Sequence, residues 1–411
     1  MKIILYESSS KNLYPITLTR PAFDILCAGT NLYKICKLVF HASNIDFLVP
    51  HLIQKITTSK YPLTKRFDDD ILFLDSSLVP SFSEALLLLK QIKKQKNVIL
   101  KNRRQIIGAY LSLQSLNLSL KKITNLTIKE ILAGLKIKNV KTAWPTFNFL
   151  HEIITYNKTL FNANLKFLIS SLKEIQSNIF VGKNVNIHPT VVFDVTLGPI
   201  IIRDYSEIMP FSYLVGPLYL GDHCVIKEST SLKNSCLGDV CRLGGEIDST
   251  IIQGYSNKQH YGFIGHSYLG EWINLGAGTT NSNLKNTYGK IKMQNVETKE
   301  QLLGCVIGDY TKTAINTAIF TGKVIGVNSL LYGQITNDVP SFTNAGSALM
   351  RPATVPLEVA TKIQKAMFIR RDFKQTKTHI SLLKNVYNLT AQDRQKNQIT
   401  TNKITFAFYA R

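Results

Sequence analysis

The sequence predicts an α/β domain with a mainly parallel sheet, then a parallel β-helix of hexapeptide repeats, then a helical C-terminal tail. Three observations carry this. Before about residue 178, short apolar runs alternate with helical stretches. From Ile202 an aliphatic residue returns at every sixth position, through Ile208, Leu214, Leu220, Ile226 and Leu232. After Leu331 that beat stops, and apolar residues continue at helical spacing with basic residues between them.

In the N-terminal region KIILY, IDFLVP, DILFL and NVILK read as strands, and SEALLLLKQIKKQ as a helix between two of them. Alternating strands and helices imply helices packed on a largely parallel sheet. Such sheets bind ligands beyond the carboxyl ends of their strands. Attention therefore falls on YESSSKNLYPITLTRPAFDILCAG after the first strand and on DSSLVP after the third.

A six-residue period excludes an amphipathic helix, whose apolar face returns every 3.6 residues. Four places after most of the aliphatics stands a small residue (Ser206, Ser212, Cys224, Thr230, Cys236), so two side chains per hexad are expected to point inward. This is the pattern of the hexapeptide β-helix. The spacing precedes the clean run at Val181, Ile187 and Phe193. It resumes at Phe263, Leu269 and Leu275, and again at Ile307, Ile319, Ile325 and Leu331, with Thr313 standing in once. A lone coil leaves its apolar residues in water and only stacking buries them, so 181–336 reads as one solenoid. The stretch PLEVATKIQKAMFIRRDFKQTKTHISLLKNVYN is expected to cap its last coil. The expected domains are thus 1–178, 179–336 and 337–411.

Hydrophobic residues make up 45% of the 411-residue chain, enough for two real cores. The apolar start of MKIILYESSSKN is too short for a secretory signal, and the patch at Leu86–Leu89 ends in Lys90 and cannot span a bilayer. A cytoplasmic location without membrane contact is the expectation. Six cysteines offer no C-x-x-C, so neither a disulfide framework nor a zinc site is expected. The net charge of +22 suits attraction of phosphorylated substrates or surface drift, and residues 351–411 hold twelve Lys/Arg against three Asp/Glu. No basic-aromatic signature accompanies that charge, so nucleic acid is not the expected partner.

Two segments carry a resemblance. LYPITLTRP resembles the Leu-x-Pro-Leu-Thr segment after the first strand of sugar-1-phosphate nucleotidyltransferases. SNKQHYGFIGHSYLGEWINLGAGTTNSN looks like the acetyltransferase core of the bifunctional N-acetylglucosamine-1-phosphate uridylyltransferase/glucosamine-1-phosphate acetyltransferase family. The chain is also similar to a shorter group of sugar nucleotidyltransferases that share the TRP element, the GGE step and the NLGAGTTNS block. The resemblance implies a nucleotidyltransferase-like (Rossmann-like) first domain, a left-handed coil and a homotrimer. It further implies Mg²⁺ for nucleotidyl transfer between a nucleoside triphosphate and a sugar 1-phosphate, and acetyl-CoA or another acyl-CoA as donor. The hand of the coil rests on the resemblance alone.

The resemblance makes His260 the catalytic base of acyl transfer, with Asn274 holding the sugar, Lys227 its phosphate, and Ala277 within Gly276-Ala277-Gly278 approaching the acetyl group. Asn283, in the same block, is a further substrate residue. Each has a plainer reading: a solvated histidine or lysine, an asparagine serving turn geometry, a crowded glycine corner. Phe263 stands where the family has a tyrosine, and PFSYLVG lacks the family's phosphate-binding arginine. Glu246 lies in an insertion of about one coil between Lys227 and His260. In the first domain YESSSKN replaces a Gly-rich loop. Arg20 is the nearest cation for a phosphate, and Asp75 occupies the place of a metal-binding aspartate. The alternative there is an Arg20–Asp24 bridge with Asp75 capping a turn. Three function classes follow: a sugar-nucleotide enzyme with two transferase halves, an acyltransferase with a decayed first domain, and a non-catalytic trimeric scaffold.

Overall fold

The computed structural model describes residues 1–8, 10–43, 45–64, 69–95, 97–112, 132, 137–170, 172–347 and 350–399, with the backbone of 405–406. The chain separates into two compact units, Met1–Glu152 and Ile153–Arg411. The expected boundary at 178 falls inside the second unit, which takes in most of the helix Leu150–Leu168.

The first unit is built on a six-stranded sheet: β1 (Lys2–Tyr6), β2 (Ile45–Leu48), β3 (Ile71–Asp75), β4 (Val98–Asn102), β5 (Gln105–Leu111) and β6 (Lys138–Lys141), in the order β2-β1-β3-β5-β4-β6. β1 pairs in parallel with both β2 and β3, while β5 runs antiparallel to β3 and β4. The four apolar runs of the sequence supply β1 to β4. Helices α1 (Leu32–Val39), α2 (His51–Lys60) and α3 (Phe82–Ile92) lie between strands. α1 starts where Asn31 accepts the amide of Lys34, and α3 where Ser81 accepts that of Glu84. β1 and β3 are buried along their whole length, as strands covered on both faces must be.

The second unit is a three-sided parallel β-helix. One face stacks Ile200–Ile202, Leu218–Leu220, Cys236–Leu237, Ile251–Gly254, Tyr268–Glu271, Val306–Ile307 and Val324–Ile325, all parallel. The hexad aliphatics Ile202, Ile208, Leu214, Leu220, Ile226 and Leu232 form its fully buried core. The register then departs from the six-residue beat. Leu237 follows Leu232 after five residues and faces inward, which turns Cys236 outward; at the later coil Ile264 takes the inward place expected of Phe263. Lys258 pairs with Leu243 in register and is 2% exposed, so a lysine occupies an interior position.

Corners are made by residues with left-handed backbone angles, among them Tyr205, His223, Tyr255, Trp272 and His266. Bulky residues rarely adopt these angles. Here neighbours on one edge stack, Tyr205 on His223 at 5.0 Å and Tyr255 on Trp272 at 4.6 Å between ring centroids.

Between Asn281 and Leu303 the chain leaves the coil, forms the hairpin Lys292–Met293/Val296–Glu297, and returns. Helix α4 (Leu150–Leu168) buries Leu150, Ile153, Ile154, Asn157, Phe161, Asn164 and Leu165, one face at helical spacing. Its Asn162 donates to the Leu197 carbonyl at 3.0 Å, and Gly198 beside it has no room for a side chain. The tail forms the expected helices: α5 (Leu357–Ile369), α6 (Lys377–Leu389) and α7 (Ala391–Lys396). No helix among the described residues is long and apolar enough to cross a membrane.

Candidate functional site

At the carboxyl ends of β1 and β3, Tyr6 and Asp75 are register partners, and Glu7 follows Tyr6. Asp75 is fully buried. One oxygen accepts the Ser77 amide at 2.9 Å and the Ser77 hydroxyl at 2.7 Å, and the other accepts the Ser8 hydroxyl. Glu7 accepts the Ala22 amide at 2.7 Å. Burial, opposed by that hydrogen bond and reinforced by the charge of Asp75, pushes the Glu7 carboxyl up to about 8. Tyr6 Oη and Ser76 Oγ are buried here without a hydrogen-bond partner.

Arg20 lies 3.8 Å from Asp24, both nearly inaccessible. Asp24 also receives Lys60 at 2.7 Å, Tyr61 and, at 3.2 Å, Asn31. The Arg20–Asp24 bridge and the Asp75 turn cap of the plainer reading are therefore both present. Glu7 carries no motif of its own in the sequence; its one signal is its place directly after the first strand, where such sheets bind ligands.

In the β-helix, one edge carries Lys227, His260 and Ala277. Lys227 and Gly244 stack through the bond from the Lys227 amide to the Leu243 carbonyl, and the next coil follows through Gly244 to Lys258. Lys227 is thus two coils, about 10 Å, from the His260 corner. Its ammonium meets Glu228 and Met209, each at 3.3 Å. His260 is exposed, and its carbonyl accepts the buried ammonium of Lys258 at 2.9 Å. The amides of Gly276 and Gly278 donate to the coil carbonyls of Thr313 and Tyr261, so among the three only the Ala277 amide is uncommitted. Asn274 lies on the adjoining face, where it accepts from Asn257 at 3.4 Å.

Asn283 is elsewhere. It meets His266, not His260, with its amide 2.9 Å from Nδ1. His266 lines a cavity of about 680 Å³ bounded by α4, a row of coil corners and the 290–303 excursion, with Asn157, Lys158 and Glu300 among its polar walls. That volume suits a small-molecule ligand. Burial holds the His266 imidazole below its ordinary value, against the opposing charge of Asp248. His266 carries no motif of its own in the sequence and stands six residues after His260, which the resemblance favours.

Residues 3–173 match the sugar nucleotidyl transferase family. The match takes in the first unit and the start of the second, and the hexapeptide-type β-helix follows it. The chain is 30% identical over 166 residues to the bifunctional protein GlmU of Nostoc sp., covering 40% of this chain and 30% of that protein. It is 30% identical over 157 residues to the bifunctional sugar-1-phosphate nucleotidylyltransferase/acetyltransferase of Sulfurisphaera tokodaii, covering 34% and 37%. The chain thus spans about a third of the length of these curated relatives. Among solved structures, the UDP-N-acetylglucosamine acyltransferase of Arabidopsis covers 55% of this chain and 96% of its own, at 13% identity and a TM-score of 0.27.

Proposed function

We propose that the chain works in nucleotide-sugar biosynthesis, with nucleotidyl transfer to a sugar 1-phosphate in the first unit and acyl transfer to a sugar amine in the second. The observation that carries the first half is the Glu7–Asp75 carboxyl pair at the ends of two adjacent parallel strands, inside the segment that matches the family. Among the described residues no three carboxylate, histidine or cysteine groups converge as a metal site. The pair fits a magnesium ion that arrives on a triphosphate, because Mg²⁺ is commonly held by one or two carboxylates plus substrate phosphates. Bound there, Mg²⁺ would neutralise phosphate charge. Glu7, as its carboxylate, and Asp75 would hold the ion; Asp75 is kept in place by Ser8 and Ser77, and the unpartnered Tyr6 and Ser76 hydroxyls offer donors to a ligand.

For acyl transfer the base assigned is His266. A bound amine attacks the thioester carbon, the carbon–sulfur bond breaks, and the amine proton passes to the imidazole and on to the departing thiolate. This requires Nδ1–H to donate to Asn283 and Nε2 to face the cavity, a pairing reached when the amide presents its oxygen. The second reading keeps His260 as base. It is favoured by exposed Tyr261 and Ile315 beside that edge, which a neighbouring copy in a trimer would cover.

Purified protein given Mg²⁺, UTP or dTTP and a panel of hexose 1-phosphates should release pyrophosphate. Glu7→Gln and Asp75→Asn should reduce that release about 100-fold or more. No release with any pair would leave an acyltransferase with a non-catalytic first unit. In the acyl arm, thiol release from acyl-CoA with an amino-sugar acceptor should fall ~100-fold or more in His266→Ala and persist in His260→Ala. The reverse result moves the base to the open edge.

A further inference from the structure

We propose that the second unit holds a binding site for a phosphoryl group between the C-terminal helices and the outer face of the β-helix, formed by Arg370, Arg371, Asn257 and Asn274 with Lys312 behind and Arg242 at its rim. Outward residues of successive coils make a polar ladder here, Arg242 opposite Asn257, Asn257 opposite Asn274, and Asn274 opposite Lys312. The end of α5 delivers Arg370 and Arg371 onto it, and a cavity of about 130 Å³ remains between them. At ~30 Å³ per water this has room for one hydrated anionic group and not for a whole nucleotide.

Three arginines meet beside Lys312 without a counter-ion. Among the described residues no carboxylate pairs with Arg242, Arg370, Arg371 or Lys312. Burial lowers the Arg371 pKa, and the charges of Arg242 and Arg370 lower it further, so these guanidiniums repel one another in the empty arrangement. Burial likewise brings Lys312 down to about 7. A cation at a helix C-terminus is ordinary, since the helix dipole favours it. The dipole does not explain why Arg371 Nε is buried without a partner while its Nη2 is held by Asn257 Oδ1. An unfilled buried donor aimed among like charges calls for an anionic acceptor. Lys312 spends its protons on the carbonyls of Tyr310 and Trp272 and the sulfur of Met367, so it contributes charge and not a direct hydrogen bond. The stacked Tyr255–Trp272 pair forms a rigid wall.

The test is titration calorimetry of the full chain at low ionic strength with inorganic phosphate, pyrophosphate and UDP, against chloride at matched ionic strength. Saturable binding of phosphate and pyrophosphate is expected. Arg371→Gln should weaken it about tenfold, the loss of one charge-assisted hydrogen bond. Arg370→Gln, at an exposed position, gives the same reading should Arg371→Gln fail to fold. No saturable binding at millimolar phosphate overturns the proposal. So does equal binding in the wild type and both arginine variants, or binding of UDP alone. Because the readout is binding and not turnover, failure here is distinct from failure of either transferase activity.

Discussion

Glu7 and Lys258 are opposite cases of one effect, a titratable group buried away from water. Glu7 is raised from 4.5 to about 8, so between those pH values the unfolded chain holds its charge while the folded chain keeps its proton. The stability this gives is complete below about pH 4.5 and is lost as pH rises through about 8. Lys258 is lowered from 10.5 to about 8 by burial, against the charge of Glu246. Its cost is therefore full below about 8 and is relieved as pH rises toward 10.5. Lys258→Met should gain most over wild type at pH 7 and progressively less at pH 9 and 10, by roughly 1–3 kcal/mol across that range. Denaturant unfolding followed by Trp272 fluorescence in a Trp144→Phe background reports the second unit, since the chain has two tryptophans, one in each unit. A pH-independent difference would mean that Lys258 is not buried as a cation. The sequence could not announce these groups: Lys258 reads as one more lysine among many, and only the shortened coils turn it inward.

Coils tolerate no added volume where their backbones touch. A Cβ on Gly238 would lie 1.9 Å from the Gln253 carbonyl oxygen of the next coil, and backbone cannot yield as a side-chain tip can. Gly238→Ala should cost roughly 2–4 kcal/mol in the same assay. The hexads at 202–232 were legible because an interior position admits only an aliphatic residue of fixed period. The steps at Leu237 and Ile264 were not, because a coil can drop a residue at a corner without losing its ladder bonds. The sequence shows a five-residue step as noise. The excursion between Asn281 and Leu303, which helps wall the His266 cavity, likewise carries no period to read.

At the scale of the molecule, the second unit leaves Phe211, Tyr261 and Ile315 between 66% and 69% exposed. Large apolar side chains in water at this density mark a contact surface. Sedimentation equilibrium should show a trimer, and Ile315→Lys should shift the mass toward a single chain. A wild-type monomer would remove the neighbour that the His260 reading needs and leave the His266 cavity, which one chain encloses.

By itself the sequence determined the local and the periodic: strand alternation, the hexad core and the helical tail, because each is written in spacing along the chain. Tertiary structure decided which residues meet. It placed Asn283 beside His266 and apart from His260, set Glu7 near Asp75, paired Arg20 with Asp24, and brought Arg371 onto Asn257, 114 positions earlier. Stacking in register sets which coil corners face one another, and a shortened coil shifts all that follows it. Proximity across coils therefore depends on every intervening turn and cannot be read from any one of them.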